Sequence, residues 1–294
     1  MLQSPERTDR FTSQRLELAK NEWGDPEASP VILVHGGRDQ KRSWDWVATR
    51  LACDYRVITY DLRGHGDSDR ANDGHYGMMD HVLDLVSLVE HLDLEQVSLI
   101  GHSLGGNIAL RFTGLYPDRV DRLVAIEGLG PSPKMLAERA SIPIADQLRD
   151  WVSERRKRVN RLPRRLATLE EAKARMRAAF PQLSDVHIHH LSETGIRATE
   201  DGAMRWAYDP SGMGFVPGGD LAPAQLHELW AAIACPTLLV YGRDSWASDP
   251  AADGRAAHFQ AAQVVSLEGA GHWVHHDQFD AFMTQIEAFL RTPD

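Results

Sequence analysis

A serine flanked by glycines is the first group of residues with a clear chemical use. The sequence GHSLG occupies residues 101–105, directly after the apolar run VSLI and before a segment of helical periodicity that begins near Gly106. The motif alone is weak evidence, but strand, sharp turn and helix are the context in which it exposes a nucleophile. Glycines at both ends leave room for the close backbone approach that such a turn needs. The pattern predicts that Ser103 is a nucleophile at the amino end of a helix.

A serine hydroxyl needs a base that accepts its proton before it can attack a carbonyl carbon. Of the 14 histidines, His272 in the sequence GAGHW follows the last strand-like run, so a loop can return it to the serine. His275 and His276 precede the last helix, and we expect them to face solvent. The sequence HIHH at 187–190 lacks a supporting acidic or cysteine ligand, which favours a partly exposed helix over a metal site. We therefore predict His272 as the general base, with no metal and no organic cofactor.

Two backbone amides could stabilise the negative charge that develops on the substrate oxygen during acyl transfer. Leu104 directly follows the predicted nucleophile, and Gly37 lies in the sequence HGGRD after an early apolar run. We predict that the N–H groups of these two residues form an oxyanion hole.

Short apolar runs alternate with helical patterns along the chain. This alternation predicts an α/β fold, a mostly parallel sheet whose two faces are covered by helices. The predicted strands are 31–35, 55–60, 97–100, 123–126, 237–241 and 264–267. The predicted helices with the clearest periodicity are 78–92, 107–116 and 279–290.

The alternation is interrupted between about residues 131 and 230, where helices and loops predominate. This segment has a small net positive charge, whereas the 294-residue chain has 32 Lys and Arg against 42 Asp and Glu, a net charge of −10. Such a composition shift between two strands of one sheet indicates an insertion. We expect a core domain of residues 1–130 and 231–294 and a mainly helical cap of residues 131–230.

Four motifs occur in an order that resembles the α/β-hydrolase superfamily. They are HGG at 35–37, DLRGHGDS at 61–68, GHSLG at 101–105 and GAGHW at 269–273. The resemblance covers nearly the whole chain outside the expected cap. It implies an eight-stranded, mostly parallel sheet, a cap inserted after the sixth strand and a triad of serine, acid and histidine. It also implies a structural role for Asp61, Arg63 and His65.

The resemblance leaves two candidates for the acid of the triad. The superfamily usually places an aspartate three residues after a glycine in the loop after the seventh strand, but Ser245 occupies that position here and Asp244 falls one residue short. Glu127 follows the predicted strand at 123–126. Some haloalkane dehalogenases, which this stretch resembles locally, carry a glutamate there. We favour Glu127 and keep Asp244 as the alternative.

The serine separates this chain from dehalogenases and epoxide hydrolases of the same fold, which use an aspartate at that position. A serine nucleophile predicts an acyl-enzyme intermediate and hydrolysis of a carboxylic ester, lactone or thioester. Two alternatives stay open: a carbon–carbon bond hydrolase with the same triad, and a ligand receptor of this fold that turns over slowly.

Aromatic and methionine side chains of the cap favour a small-molecule ester with an apolar acyl or aryl group, although each could equally belong to the cap's own core. The cap aromatic residues are Trp151, Phe180, Trp206, Phe215 and Trp230. The predicted substrate-binding residues are Trp206, Trp246 and Trp273. The basic stretch 149–177 could attract an anionic substrate, but a solvated helical face is the simpler interpretation.

Composition excludes several other classes of protein. A hydrophobic content of 43% with 8 Trp and 8 Phe excludes a largely disordered chain, and the net charge of −10 argues against a general nucleic-acid partner. Two cysteines cannot form a disulfide framework, and we expect both Cys53 and Cys235 to be buried thiols. No signal peptide or membrane-length apolar run is visible, so we expect a cytoplasmic protein without a membrane partner. The oligomeric state is not readable from the sequence.

Overall fold

The computed structural model of the protein describes residues 2–72, 74, 76–159, 165–200, 202–210 and 216–292. These residues form ten strands: β1 Arg7–Ser13, β2 Leu16–Trp23, β3 Pro30–Val34, β4 Arg56–Tyr60, β5 Val97–His102, β6 Val120–Ile126, β7 Ile196–Ala198, β8 Met204–Trp206, β9 Thr237–Gly242 and β10 Ala262–Leu267. They also form ten α-helices: α1 Asp45–Leu51, α2 Met78–His91, α3 Leu104–Leu115, α4 Pro133–Ala140, α5 Ile144–Val159, α6 Leu169–Ala179, α7 Asp185–Thr194, α8 Pro223–Ala231, α9 Val274–Asp277 and α10 Phe279–Arg291. None of the described helices is long and apolar enough to cross a bilayer.

Eight strands form one sheet in the order β1-β2-β4-β3-β5-β6-β9-β10. The pairs from β4 to β10 are parallel, whereas β2 is antiparallel to both β1 and β4. The predicted fold class is therefore confirmed, and each predicted strand overlaps an observed one. The β1–β2 hairpin escaped prediction from the residues because β1 is a largely exposed edge strand with mostly polar side chains.

The central strands are buried on both faces, which is why their sequences are continuously apolar. On β3, Ile32 and Val34 belong to one hydrophobic cluster, which includes α2 and α3. The alternate residues Val31 and Leu33 belong to a second cluster, which includes α1 and α10. The helices thus cover the sheet from both sides and leave the carboxyl ends of the parallel strands to carry the loops.

The chain between β6 and β9 contributes helices α4–α8 and the β7–β8 hairpin, which is separate from the main sheet. Met176 on α6 and Leu191 on α7 form a small apolar cluster with Trp273, which follows β10. Helix α8 instead packs against α3, and its Trp230 is buried within the main hydrophobic core. The segment therefore contacts the rest of the protein in two places. Helices α6 and α7 pack against the loop after β10, and α8 packs against α3 beside the sheet.

The DLRGHGDS loop after β4 connects several parts of the molecule. The buried Lys41 ammonium lies 2.6 Å from the Asp61 carboxylate. Arg63 donates two hydrogen bonds of 2.7 Å to Asp84 on α2. Backbone hydrogen bonds also join the loop to residues 207 and 209 of the inserted segment. These contacts support a structural role for Asp61 and Arg63.

The two cysteines have different environments. Cys235 is buried as expected, but Cys53 is exposed, so the expectation for Cys53 was wrong. Cys53 lies in the turn between α1 and β4, beyond Leu51, which is the last buried residue of α1. An apolar neighbour in sequence does not bury a residue once the chain has turned towards solvent.

Candidate active site

Ser103 lies in the turn between β5 and α3, and its backbone adopts φ 51° and ψ −112°. This conformation is costly for a residue with a side chain and is typical of functional turns. The Ser103 N–H donates to the carbonyl of Ile126 at 2.8 Å, which fixes the turn against β6. A Cβ on Gly101 would overlap Gly105, and one on Gly105 would overlap the Val34 carbonyl oxygen. The predicted need for glycine at these two positions is confirmed.

The imidazole of His272 lies between a hydroxyl and a carboxylate. Its Nε2 is 3.0 Å from Ser103 Oγ, and its Nδ1 is 2.5 Å from Glu127 Oε2. An ionised carboxylate can only accept a hydrogen bond, so Nδ1 carries the proton and Nε2 is left as the acceptor. His272 Nε2 can therefore take a proton from Ser103.

Glu127 directly follows β6, and its carboxylate is fully buried. Oε1 accepts a hydrogen bond of 2.9 Å from the Gly242 N–H at the end of β9, and Oε2 accepts one of 2.6 Å from Ser245 Oγ. These two donors hold the carboxylate in the orientation that faces His272. The serine that stands where the superfamily usually carries its aspartate thus binds the glutamate instead.

Asp244, the alternative acid, occupies a different environment. It is exposed, and its N–H donates to the carbonyl of Ala270 at 2.9 Å. Within the described residues, His272 forms an ion pair with Glu127 and none with Asp244 inside 4.0 Å. The structure therefore brings Glu127, and not Asp244, to the histidine.

The loop that carries His272 is held from two sides. His102 Nε2 donates to the carbonyl oxygen of His272 at 2.8 Å, and the two imidazole centroids are 4.8 Å apart. Burial lowers the pKa of His102 well below its usual value, so its ring is neutral. On the other side, the Gly271 N–H donates to Asp277 Oδ2 at 2.9 Å. Sequence analysis missed His102 as a positioning residue, although it is the first of the two variable positions of the G-x-S-x-G motif.

The predicted oxyanion-hole residues lie on either side of Ser103. Leu104 is the first residue of α3, so its N–H has no acceptor within the helix. Gly37 lies in the loop after β3 and lines the same cavity as Ser103 and His272. Among the described residues, no group accepts a hydrogen bond from the Gly37 N–H. Both amides are thus available to a ligand.

His65 of the DLRGHGDS loop supports the loop that contains Gly37. Its Nε2 accepts a hydrogen bond of 3.1 Å from the Arg38 N–H, while its Nδ1 lies 3.0 Å from the Arg63 carbonyl oxygen, to which it donates. Burial lowers the pKa of His65, which keeps Nε2 free of a second proton and able to accept. His65 therefore fixes the backbone one residue after Gly37.

A cavity of about 680 Å³ opens above Ser103 and His272. Two of the predicted substrate-binding residues, Trp206 and Trp273, line it, together with Phe180, which stacks on Trp273 at 4.1 Å between ring centroids. Trp246 is not among the lining residues; it is 63% exposed and its ring centroid lies 4.9 Å from that of His272. It shields the histidine from the solvent side.

Of the other aromatic residues predicted for the cap, neither Trp151 nor Trp230 lines the cavity. Trp151 is half-buried on α5, and Trp230 belongs to the main core. Phe215 lies outside the described residues. The apolar character of the cavity therefore comes from α6, α7 and the β7–β8 hairpin rather than from the whole inserted segment.

The expectation that His275 and His276 face solvent was wrong. They are 0% and 5% exposed, and burial lowers the pKa of both well below its usual value. The short helix α9 turns inward, so that His275 stacks on Trp44 at 4.5 Å, and His276 contacts Trp46. These rings fill the core beneath the loop that carries His272.

The HIHH sequence lies on α7, as expected for a partly exposed helix. His189 is exposed, whereas His187 and His190 pack against Trp46. His190 Nε2 lies 3.1 Å from Asp45 Oδ2. Across the described ranges, no group of three or more His, Cys, Asp or Glu side chains could hold a metal ion.

The family model for the alpha/beta hydrolase fold matches residues 29–279, and the chain belongs to this family. A serine hydrolase-like protein of Danio rerio is 33% identical over 192 residues, which are 63% of this chain and 57% of that protein. The esterase YbfF of Escherichia coli K12 is 28% identical over 288 residues, 94% of this chain and 97% of the esterase. Among solved structures, a hypothetical protein of Pseudomonas aeruginosa has a TM-score of 0.81 at 27% identity, covering 97% and 99% of the two chains.

Proposed function

We propose that the protein is a serine esterase that hydrolyses carboxylic esters through an acyl-enzyme on Ser103. The observation that carries this proposal is the single imidazole of His272, with Ser103 Oγ 3.0 Å from one ring nitrogen and Glu127 2.5 Å from the other. The same chemistry extends to lactones and thioesters. The similarity to the Escherichia coli esterase over nearly the whole chain supports ester hydrolysis over carbon–carbon bond cleavage.

In acylation, Ser103 Oγ attacks the ester carbonyl carbon while His272 Nε2 accepts the hydroxyl proton. Glu127 stabilises the imidazolium that forms and keeps the proton of Nδ1 directed away from the substrate. The imidazolium then donates its Nε2 proton to the departing alcohol, and the carbonyl re-forms as the acyl-enzyme.

In deacylation, a water molecule replaces the alcohol and His272 Nε2 accepts its proton. The hydroxide attacks the acyl carbon, the imidazolium returns a proton to Ser103 Oγ, and the carboxylic acid leaves. Both steps pass through an oxyanion, to which the amides of Gly37 and Leu104 donate. Removing one such donor typically costs about 3 kcal/mol of transition-state stabilisation.

Residues 131–230 act in this proposal as a cap that selects the substrate. Helix α6 and helix α7 supply Met176 and Leu191 to the cavity, and Trp206 and Trp273 add aromatic surface. A cavity of about 680 Å³ has the size of an ordinary small-molecule site. We therefore expect a substrate with an apolar acyl or aryl group.

The experiment measures hydrolysis of p-nitrophenyl esters and labelling by a fluorophosphonate probe. The wild-type protein should turn over repeatedly and become labelled, and Ser103→Ala should lose both while keeping its melting temperature. His189→Ala is the matched control, since this exposed ring on α7 lies outside the cavity. Full activity in Ser103→Ala, or a single slow turnover in the wild type, would contradict the proposal.

A further inference from the structure

We propose that the cavity contains a subsite for an anionic group, formed by Arg38 and Arg175, so that the preferred substrates are esters that also carry a carboxylate. This inference rests on the proposed esterase function and names the substrate class of the same site. Both arginines line the cavity that contains Ser103 and His272, although they come from the core and from the inserted segment respectively.

The backbone of Arg38 lies close to the reacting groups, and its exposed side chain borders the cavity. It directly follows Gly37, and its backbone is fixed by the hydrogen bond from its N–H to His65 Nε2 at 3.1 Å. Its φ of 63° is a left-handed conformation that a non-glycine residue adopts only when its surroundings require it. Among the described residues, no carboxylate pairs with the Arg38 guanidinium. A cation of this kind is available to a ligand.

Arg175 adds a second positive charge from α6. It pairs with Glu171, one turn earlier on the same helix, at 2.7 Å, and both side chains are about one-third exposed. Pairs of this type contribute little because solvent screens them. A bound carboxylate can therefore compete with Glu171 for the guanidinium, whose planar donors match a carboxylate.

Asp39 is the one carboxyl group among the described lining residues, and it neutralises little of the positive charge of Arg38 and Arg175. Its Oδ1 accepts from the Gln40 N–H at 2.8 Å and its Oδ2 accepts from Ser43 Oγ at 2.9 Å, so both oxygens are occupied within the loop. Burial raises the pKa of Asp39 to about 7, and near neutral pH it carries only part of its charge. The net charge of the described cavity lining therefore stays positive, although the net charge of the whole chain is −10.

Much of the remaining cavity wall is apolar and includes Met176, Phe180 and Trp206. A matching substrate has a hydrophobic body and one carboxylate a few bonds from the scissile carbonyl, because Arg38 is adjacent to Gly37 in the chain. Half-esters of dicarboxylic acids have this form.

The test compares two p-nitrophenyl esters of the same diacid, mono-p-nitrophenyl glutarate and methyl p-nitrophenyl glutarate, by release of p-nitrophenol at low ionic strength. The wild-type ratio of kcat/KM, anionic over neutral, should be about tenfold, the effect of one partly screened charge pair. Arg38→Gln and Arg175→Gln should each lower this ratio several-fold, mainly through KM, and 0.5 M salt should lower it in the wild type. Arg177→Gln is the matched control, since Arg177 lies on the same helix outside the cavity and pairs with Asp185.

An unchanged ratio in both cavity variants, or a wild-type ratio of one or below, would overturn the subsite while leaving the esterase intact. Absence of hydrolysis of both esters, with no labelling of Ser103 by the fluorophosphonate, would contradict the esterase function and this inference with it. The two failures are thus distinguishable in one set of assays.

Discussion

Replacing Glu127 by glutamine should disable the enzyme without unfolding it. Glutamine has the same shape but puts an NH2 group where one carboxylate oxygen stood. In one orientation this group faces the Gly242 N–H, which is itself a donor. In the other it faces Ser245 and His272 Nδ1, and it then forces Nδ1 to accept and moves the ring proton to Nε2. A protonated Nε2 cannot take the proton of Ser103.

The size of the effect follows from this change of tautomer. The equivalent substitution in a serine protease lowers kcat by about 10⁴, which corresponds to about 5 kcal/mol. Glu127 is held by two donors besides the histidine, so the variant also loses part of that network. We expect kcat for a p-nitrophenyl ester to fall by about 10³ to 10⁴, while KM changes by less than about threefold because Glu127 does not line the cavity.

A second substitution can restore a carboxylate beside His272. Ser245 Oγ lies 2.6 Å from Glu127 Oε2, so an aspartate at 245 places a carboxylate near the same imidazole. The double variant Glu127→Gln with Ser245→Asp should regain at least about tenfold of the lost kcat, since an anion again faces the ring. Asp244→Asn is the control and should retain activity within about threefold. Loss of orders of magnitude in Asp244→Asn with near-normal activity in Glu127→Gln would refute the reasoning.

Three further predictions concern the surrounding residues. His102→Leu should lower kcat about tenfold or more, because the loop of His272 loses a donor, and His102→Gln should recover part of it. Gly105→Ala should lower the melting temperature by at least about 5 °C, because the new methyl group meets backbone; an unchanged melting temperature would contradict the close packing. His275→Phe should become more stable relative to the wild type as the pH falls below 6.5, by about 1.4 kcal/mol per pH unit in urea unfolding. Burial holds the folded-state pKa of His275 well below 6.5, so the unfolded state binds the proton first and acid removes stability; parallel pH profiles would exclude this.

The parts of the fold and of the site that could be predicted from the sequence are those with a signal in neighbouring residues. Ser103 directly follows β5 and His272 lies in the loop after β10, each within a short motif that contains glycines. The buried strands are recognisable because both of their faces lie against helices, which makes their sequences continuously apolar. These motifs and strands depend on residues that are close together in the chain, and they lie in the structure where the sequence predicts them.

The features that escaped prediction depend on residues far apart in the chain. His275 is buried because it stacks on Trp44, more than 200 positions earlier, and no local pattern near His275 encodes that contact. The role of Ser245 as a donor to Glu127 is equally remote, since 118 positions separate the two. The sequence showed only that an expected aspartate was displaced, and the resemblance supplied the alternative.

The pairing of β6 with β9 brings two loops side by side, and either loop is placed to carry the acid of the proposed triad. Neighbouring strands in a sheet lie about 4.8 Å apart, so their carboxyl ends offer two anchor points for one negative charge. A carboxylate in either loop can therefore face the same imidazole on the same backbone. A search for such hydrolases by an aspartate in the loop after β9 will overlook chains that carry the acid in the loop after β6.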